Sequence, residues 1–187
     1  MNVKEIIINV SKILELDDVV EYLSDESIVP YESILEDVEK LTLAVNMLNA
    51  VVASQYIELK DCKVIEVNSD IVSYSSITDK QIIEVKEVLS ADGVPVSYKK
   101  MANGIKCSCN KVEITYSYFP SIVAIDDEIN YYIGVDILTF SLGVVGQYLF
   151  LKGDFEEAYI WDEKFKQTIS SVIKTKRKIV MPSKRFL

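Results

Sequence analysis

The chain of 187 residues contains no histidine, and that absence removes a large share of the chemistry a protein can do. It excludes the Ser-His-Asp triad, the Cys-His dyad, imidazole proton shuttling and every zinc site that uses a His ligand. Carboxylates, lysines and tyrosines remain, so the next question is whether any are grouped. Cys107-Ser108-Cys109 is a C-x-C motif whose thiols share one face if it lies on a strand. Only Cys62 could join them, and three thiolates make a poor structural zinc site, so small apolar residues in a sheet core are the simpler reading. Asp126-Asp127-Glu128 offers hard oxygen ligands, but no Gly-punctuated loop surrounds it, and helix N-terminal charge explains it more simply. Asp17-Asp18 and Asp25-Glu26 read the same way. Gly143 and Gly146 lie inside an apolar run without a preceding strand or G-x-G-x-x-G spacing, which suits close helix packing and not a phosphate loop. No carboxylate pair stands alone in an apolar setting. The residues thus nominate no catalytic, cofactor-binding or metal-ligating position, and no cofactor is expected.

The 11 tyrosines invite a nucleic-acid reading, but a single-strand platform interleaves aromatics with basic residues, and here the aromatic region is acidic. Tyr116 and Tyr118 fit an alternating core face, and Tyr131 and Tyr132 a bundle rim. Charge is segregated along the chain. Residues 1–163 hold 12 basic and all 29 acidic residues, a net of −17, whereas the last 24 residues hold eight basic and no acidic ones. Such a body repels nucleic acid, while the short basic end suits an acidic protein surface, a phosphate backbone or a lipid headgroup, or is simply a solvated tail.

With 49% hydrophobic residues and mean hydropathy +0.17, the chain can bury a core, and its length fits one domain or one with an insertion. Three Cys make no disulfide framework and suggest a reducing compartment. The start lacks a long apolar h-region, so no signal peptide is expected. The uncharged stretch 137–151 falls short of the roughly 20 apolar residues that span a bilayer, and reads as a buried helix.

The hydrophobic period defines the elements. Residues 2–16 carry Ile6, Val10, Ile13 and Leu14 at helical spacing, and 17–23 read as a continuation in a short acidic turn. Residues 31–53 predict a long helix through Leu35, Val38, Leu41, Val45, Leu48 and Val52, with Pro30 at its start. From 56 to 119 the period becomes two: strands over 56–67, 71–77 and 81–89, a turn at 91–93, an Asn103-Gly104 hairpin turn of type I′, and alternation of Ile105, Cys107 and Cys109 and of Val112, Ile114, Tyr116 and Tyr118. This predicts an antiparallel meander with one dry face. Ser121 or Asp126 could cap the next helix, which runs to Lys152. Gly153 stops it, Asp154 and Glu157 have capping-box spacing, and a last helix runs to about Lys174 through Phe155, Ala158, Phe165, Ile169 and Val172. The fold class is α+β: a helical bundle (1–54 and 121–175) with an antiparallel β-sheet (55–120) inserted between its second and third long helices, and an extended basic arm (176–187).

The C-terminal third carries a recognisable pattern. An apolar helix leads to Leu149-Phe150-Leu151-Lys152-Gly153-Asp154-Phe155-Glu156-Glu157-Ala158, then Trp161 and a second helix, then Met181-Pro182-Ser183-Lys184-Arg185-Phe186. Tyr116-Ser117-Tyr118-Phe119-Pro120 precedes the apolar helix. This resembles the head-to-tail connector (adaptor) proteins of tailed bacteriophages, in particular the tail tubular protein A type of short-tailed phages and the ring proteins of gut phages related to crAssphage. The resemblance implies a non-enzymatic virion protein at the portal vertex, present in the host cytoplasm during assembly. It implies a ring of twelve copies that binds the portal protein on one side and a tail or second ring protein on the other. The ring would pass double-stranded DNA without specific binding and touch no membrane. The arm that docks on the portal would comprise Lys176, Arg177, Lys178, Met181, Pro182, Lys184, Arg185 and Phe186, the last where family members often carry tryptophan. The competing reading is a soluble bacterial ligand-binding or regulatory module that oligomerises through its helices.

Overall fold

The computed structural model describes residues 1–25, 27–67, 71–130 and 134–176, with side chains to residue 173. In chain order the elements are α1 (Val3–Ile13), α2 (Asp17–Ser24), α3 (Glu32–Gln55), β1 (Lys60–Glu66), β2 (Ile71–Ser73), α4 (Tyr74–Ile77), β3 (Ile82–Ser90), β4 (Tyr98–Lys100), β5 (Gly104–Cys107), β6 (Lys111–Tyr118), α5 (Ile137–Lys152) and α6 (Phe155–Lys176). The class is α+β, with the strands lying between α3 and α5 in the sequence. The chain divides into two compact units, Met1–Leu48 with Val123–Leu187, and Asn49–Ile122.

The first unit is built around α5. Its sequence is apolar on every side, and Phe140, Val144 and Val145 are fully buried. Gly143 and Gly146 let neighbours approach. A Cβ at Gly143 would lie 2.6 Å from Leu48 Cδ1 and 2.9 Å from Phe165 Cδ2, and one at Gly146 would lie 3.2 Å from the Asp162 amide nitrogen. The α5–α6 turn is a Schellman motif, because Gly153 adopts φ +93°, its N–H reaches the Phe150 carbonyl, and the Asp154 N–H reaches the Leu149 carbonyl. Tyr148 and Lys152 both donate to Asp37 Oδ1, at 3.0 and 2.6 Å, tying α5 to α3. Burial first, and the Asp37 carboxylate second, push the Tyr148 phenol up to about 12.

The start of α5 differs from expectation. The helix begins at Ile137, capped by Asp136, whose carboxylate accepts from the Thr139 N–H at 2.6 Å. Neither Ser121 nor Asp126 caps it. The Asn46 carboxamide on α3 donates to the Val123 carbonyl (2.9 Å) and accepts from the Val123 N–H (2.8 Å), holding that stretch by its backbone. The chain start adds to this: Val3 N–H donates to the Asp127 carbonyl and the Met1 ammonium to the Ile129 carbonyl. Backbone groups taken by these distant partners are not available to a helix. Likewise α1 and α2 are separate, because Glu15 turns the chain with φ +57°.

The second unit holds two three-stranded antiparallel sheets, ordered β1-β6-β3 and β2-β5-β4, where a single meander was expected. Val72, Ile105 and Cys107 from one sheet and Val85, Val88, Val112, Ile114 and Tyr116 from the other feed one core. The dry-face alternation holds on β6, whereas β1 is exposed along almost its whole length. The expected strand over 71–77 stops at Ser73, whose hydroxyl accepts from the Ser76 N–H and starts the single turn α4, delivering Ile77 to the core. Asn103-Gly104 is not a type I′ turn, since neither residue has positive φ. Gly104 begins β5 opposite Ser73, and a Cβ there would sit 2.2 Å from the Val72 carbonyl oxygen. The glycine is needed for space between two backbones.

Two stability predictions follow from these contacts. Gly104→Ala forces backbone against backbone, and should cost about 1–3 kcal/mol in urea unfolding; an unchanged midpoint would refute the close approach. The Ser11 hydroxyl is buried without a hydrogen-bond partner. Ser11→Ala should therefore be neutral or stabilise by up to about 1 kcal/mol, and a clear loss of stability would show that the hydroxyl is satisfied.

Candidate interaction surface

The structure distributes the sequence-nominated residues rather than gathering them. Cys107 is buried on β5, where burial pushes its thiol up, Cys109 lies beyond the strand end, and Cys62 is exposed on β1 of the other sheet. Among the described residues no three His, Cys, Asp or Glu side chains converge as a metal site. In the acidic triplet, Asp127 accepts from the Ala124 N–H and Glu128 from the Asn130 amide, so these carboxylates serve the local turn and not a helix N-terminus. Asp25 is held below the usual carboxylate range by the Ser27 N–H first and the Ser27 hydroxyl second. Tyr116 is buried as expected; Tyr131 and Tyr132 lie outside the described residues. No helix among the described residues is long and apolar enough to cross a membrane.

Of the proposed arm, Lys176 is the last residue of α6, so the helix runs about two residues further than its periodicity suggested. Arg177, Lys178, Met181, Pro182, Lys184, Arg185 and Phe186 lie outside the described residues.

Two depressions remain as candidates. One, of about 380 Å³, lies in the second unit between α4 and β3, and its walls include Lys80, Glu84 and Lys100. Its charges are already matched. Lys100 lies 2.9 Å from Glu84, and Lys86 bridges Glu84 (2.7 Å) and Glu58 (2.6 Å). Lys80 lies 3.3 Å from Asp61 and 4.0 Å over the Tyr118 ring. A ligand would have to displace a protein partner to use any of these cations.

The other depression, also about 380 Å³, lies in the first unit on the α5–α6 hairpin. Gly146 and Ala158 form its floor, Phe150, Phe155 and Tyr159 its apolar walls, and Asp162 one end. Phe150, Phe155 and Tyr159 are 53%, 62% and 65% exposed, although Phe150 and Phe155 stack edge to face at 5.5 Å. Exposed Ile160 lies beside Tyr159 in the chain. Phe155 also borders a second hollow lined by Asp154, Glu156 and Glu157. By its spacing Phe155 falls on the core stripe of α6. The structure buries Ala158, Phe165 and Ile169 there, and leaves Phe155 on the rim because the Gly153 turn brings it up beside Phe150. The signal available in the sequence was Tyr159-Ile160, apolar residues off the core stripe of an otherwise charged helix. A contiguous aromatic face of this kind marks an interaction site more often than chance exposure does.

The paired cluster of the second unit gives a pH prediction. Lys86 first and Lys100 second pull the Glu84 carboxyl from its ordinary 4.5 down to about 2. The folded state then favours the carboxylate, so its stabilisation is complete above pH 4.5 and disappears as the pH falls through about 2. Glu84→Gln should lower the melting temperature at about pH 6 and lower it much less at about pH 2; an equal decrement at both would show that the pairing is immaterial.

Compared with known proteins, the chain matches no family model, and no curated protein sequence matches it at a significant level.

Proposed function

We propose that the protein is a structural ring component of a tailed-phage connector, placed between the portal and the tail. What carries the reading is the pattern over residues 116–187, an apolar helix, a Lys-Gly-Asp turn, a second helix with acids in its first turn and a basic end, in an α+β chain whose β region interrupts a helical one. The charge distribution agrees with it. A body of net −17 would keep DNA from adhering to a channel wall, and an eight-cation end suits docking on another protein. An open aromatic face on the α5–α6 hairpin is what a subunit of a larger assembly presents before it is assembled. The alternative, a soluble ligand-binding or regulatory module, would use the depression between α4 and β3. Its cations are already paired with Asp61 and Glu84, which weighs against that reading.

The test is negative-stain electron microscopy with the portal protein encoded in the same genome, comparing the full chain with one ending at Thr175. Rings seated on the portal by the full chain and lost on truncation are the expected result. No association by the full chain at micromolar concentration and low salt would overturn the connector reading.

A further inference from the structure

We propose that the α5–α6 cleft receives the basic C-terminal segment, residues 176–187, of a second copy of this chain. The contact does not require a portal, and so goes beyond the connector reading. Three observations carry it. The cleft pairs aromatic walls, Phe150, Phe155 and Tyr159, with the acidic hollow that adjoins it at Phe155, lined by Asp154, Glu156 and Glu157; Asp162 at its end is already paired with Lys166 at 2.6 Å. The segment has the complementary order, Lys176-Arg177-Lys178, then apolar Ile179 to Pro182, then Lys184-Arg185 and Phe186. Two cationic clusters flanking an apolar run match aromatic walls with carboxylates beside them.

Length decides between the segment's own cleft and a neighbour's. Asp162, the near end of the cleft, lies 14 helical residues before Lys176, or about 21 Å. The 11 residues after Lys176 reach about 36–40 Å when fully extended. Returning to its own cleft would consume the first six or seven of them (about 3.3–3.6 Å each), leaving Ile179 to Pro182 outside the aromatic walls. The return path also runs along the part of α6 that carries Lys164 and Lys174, with Lys166 there already paired with Asp162 and Glu163. A second copy can lay the whole segment across the cleft. Because the segment of one copy meets the cleft of the next, the contact is head-to-tail, and it closes into a ring or continues as a filament. On a portal the same segment would have two acceptors, of which the chain itself supplies this one.

The test uses charge reversal in the full-length chain, read by sedimentation velocity at low salt. One variant carries Glu156→Lys and Glu157→Lys, the other Lys184→Glu and Arg185→Glu. The wild type should self-associate, each variant alone should associate at least tenfold more weakly, and an equimolar mixture of the two should recover association, because each variant's segment then meets a cleft of opposite charge. Recovery on mixing requires contact between copies and cannot arise within one chain. A wild type that stays monomeric to about 100 µM, variants that associate as the wild type does, or a mixture that stays dissociated would each overturn the proposal. Portal seating is read in a separate assay, so failure of either proposal leaves the other standing.

Discussion

Helix α5 has no polar side to offer to water, and the first unit is organised around covering it. Nine of its 16 residues are buried. Two glycines on it remove the side chains that would otherwise hold α3 and α6 away, so that Leu48 and Phe165 press against Gly143 and the α6 backbone against Gly146. Close approach of this kind gains dispersion and area burial over a long contact. It also limits what α6 can cover, because a 22-residue helix with charged residues over much of its surface presents only a narrow apolar stripe.

The aromatic cleft is a consequence of that geometry. Gly146 thins the α5 surface at the place where α6 passes, leaving a floor between the helices. The left-handed turn at Gly153 then reverses the chain tightly enough to bring Phe155 beside Phe150. Neither ring enters the core, which Phe140 and Phe165 already fill. Gly146, which with Gly143 closes the core, also opens the surface next to it. In the second unit the equivalent constraint is Gly104, where a missing side chain lets β5 run close against β2 at Val72.

Much of this was legible in the sequence, because much of it is local. The 3.6-residue period of 31–53, the apolar run from 137, the Gly153 stop and the two-residue period of β6 each follow from a residue and its near neighbours, and the structure has them. So does the α+β order, since periodicity reports which segments are helical and which are extended. The packing roles of Gly143 and Gly146 were also readable, because a glycine kept inside an apolar helix implies a close neighbour.

What the sequence could not decide depends on partners far away in the chain. Residues 121–130 contain helix-capping side chains but make no helix, because Asn46 and the chain start hold their backbone groups. β6 alternates as expected, yet the pairing of the strands as β1-β6-β3 and β2-β5-β4 depends on which apolar faces share a core, and no turn encodes that. Asn103-Gly104 carries the signature of a two-residue turn, but tertiary crowding at Val72 is what requires the glycine. Phe155 occupies a core-spaced position, and only the packing of α6 on α5 put it on the surface. The sequence by itself determined the elements, the segregation of charge and the α+β class, since those rest on short-range periodicity and composition. The tertiary structure alone decided where the helix caps fall, how the strands pair and which aromatics face water, since those rest on competition among contacts that are distant in sequence.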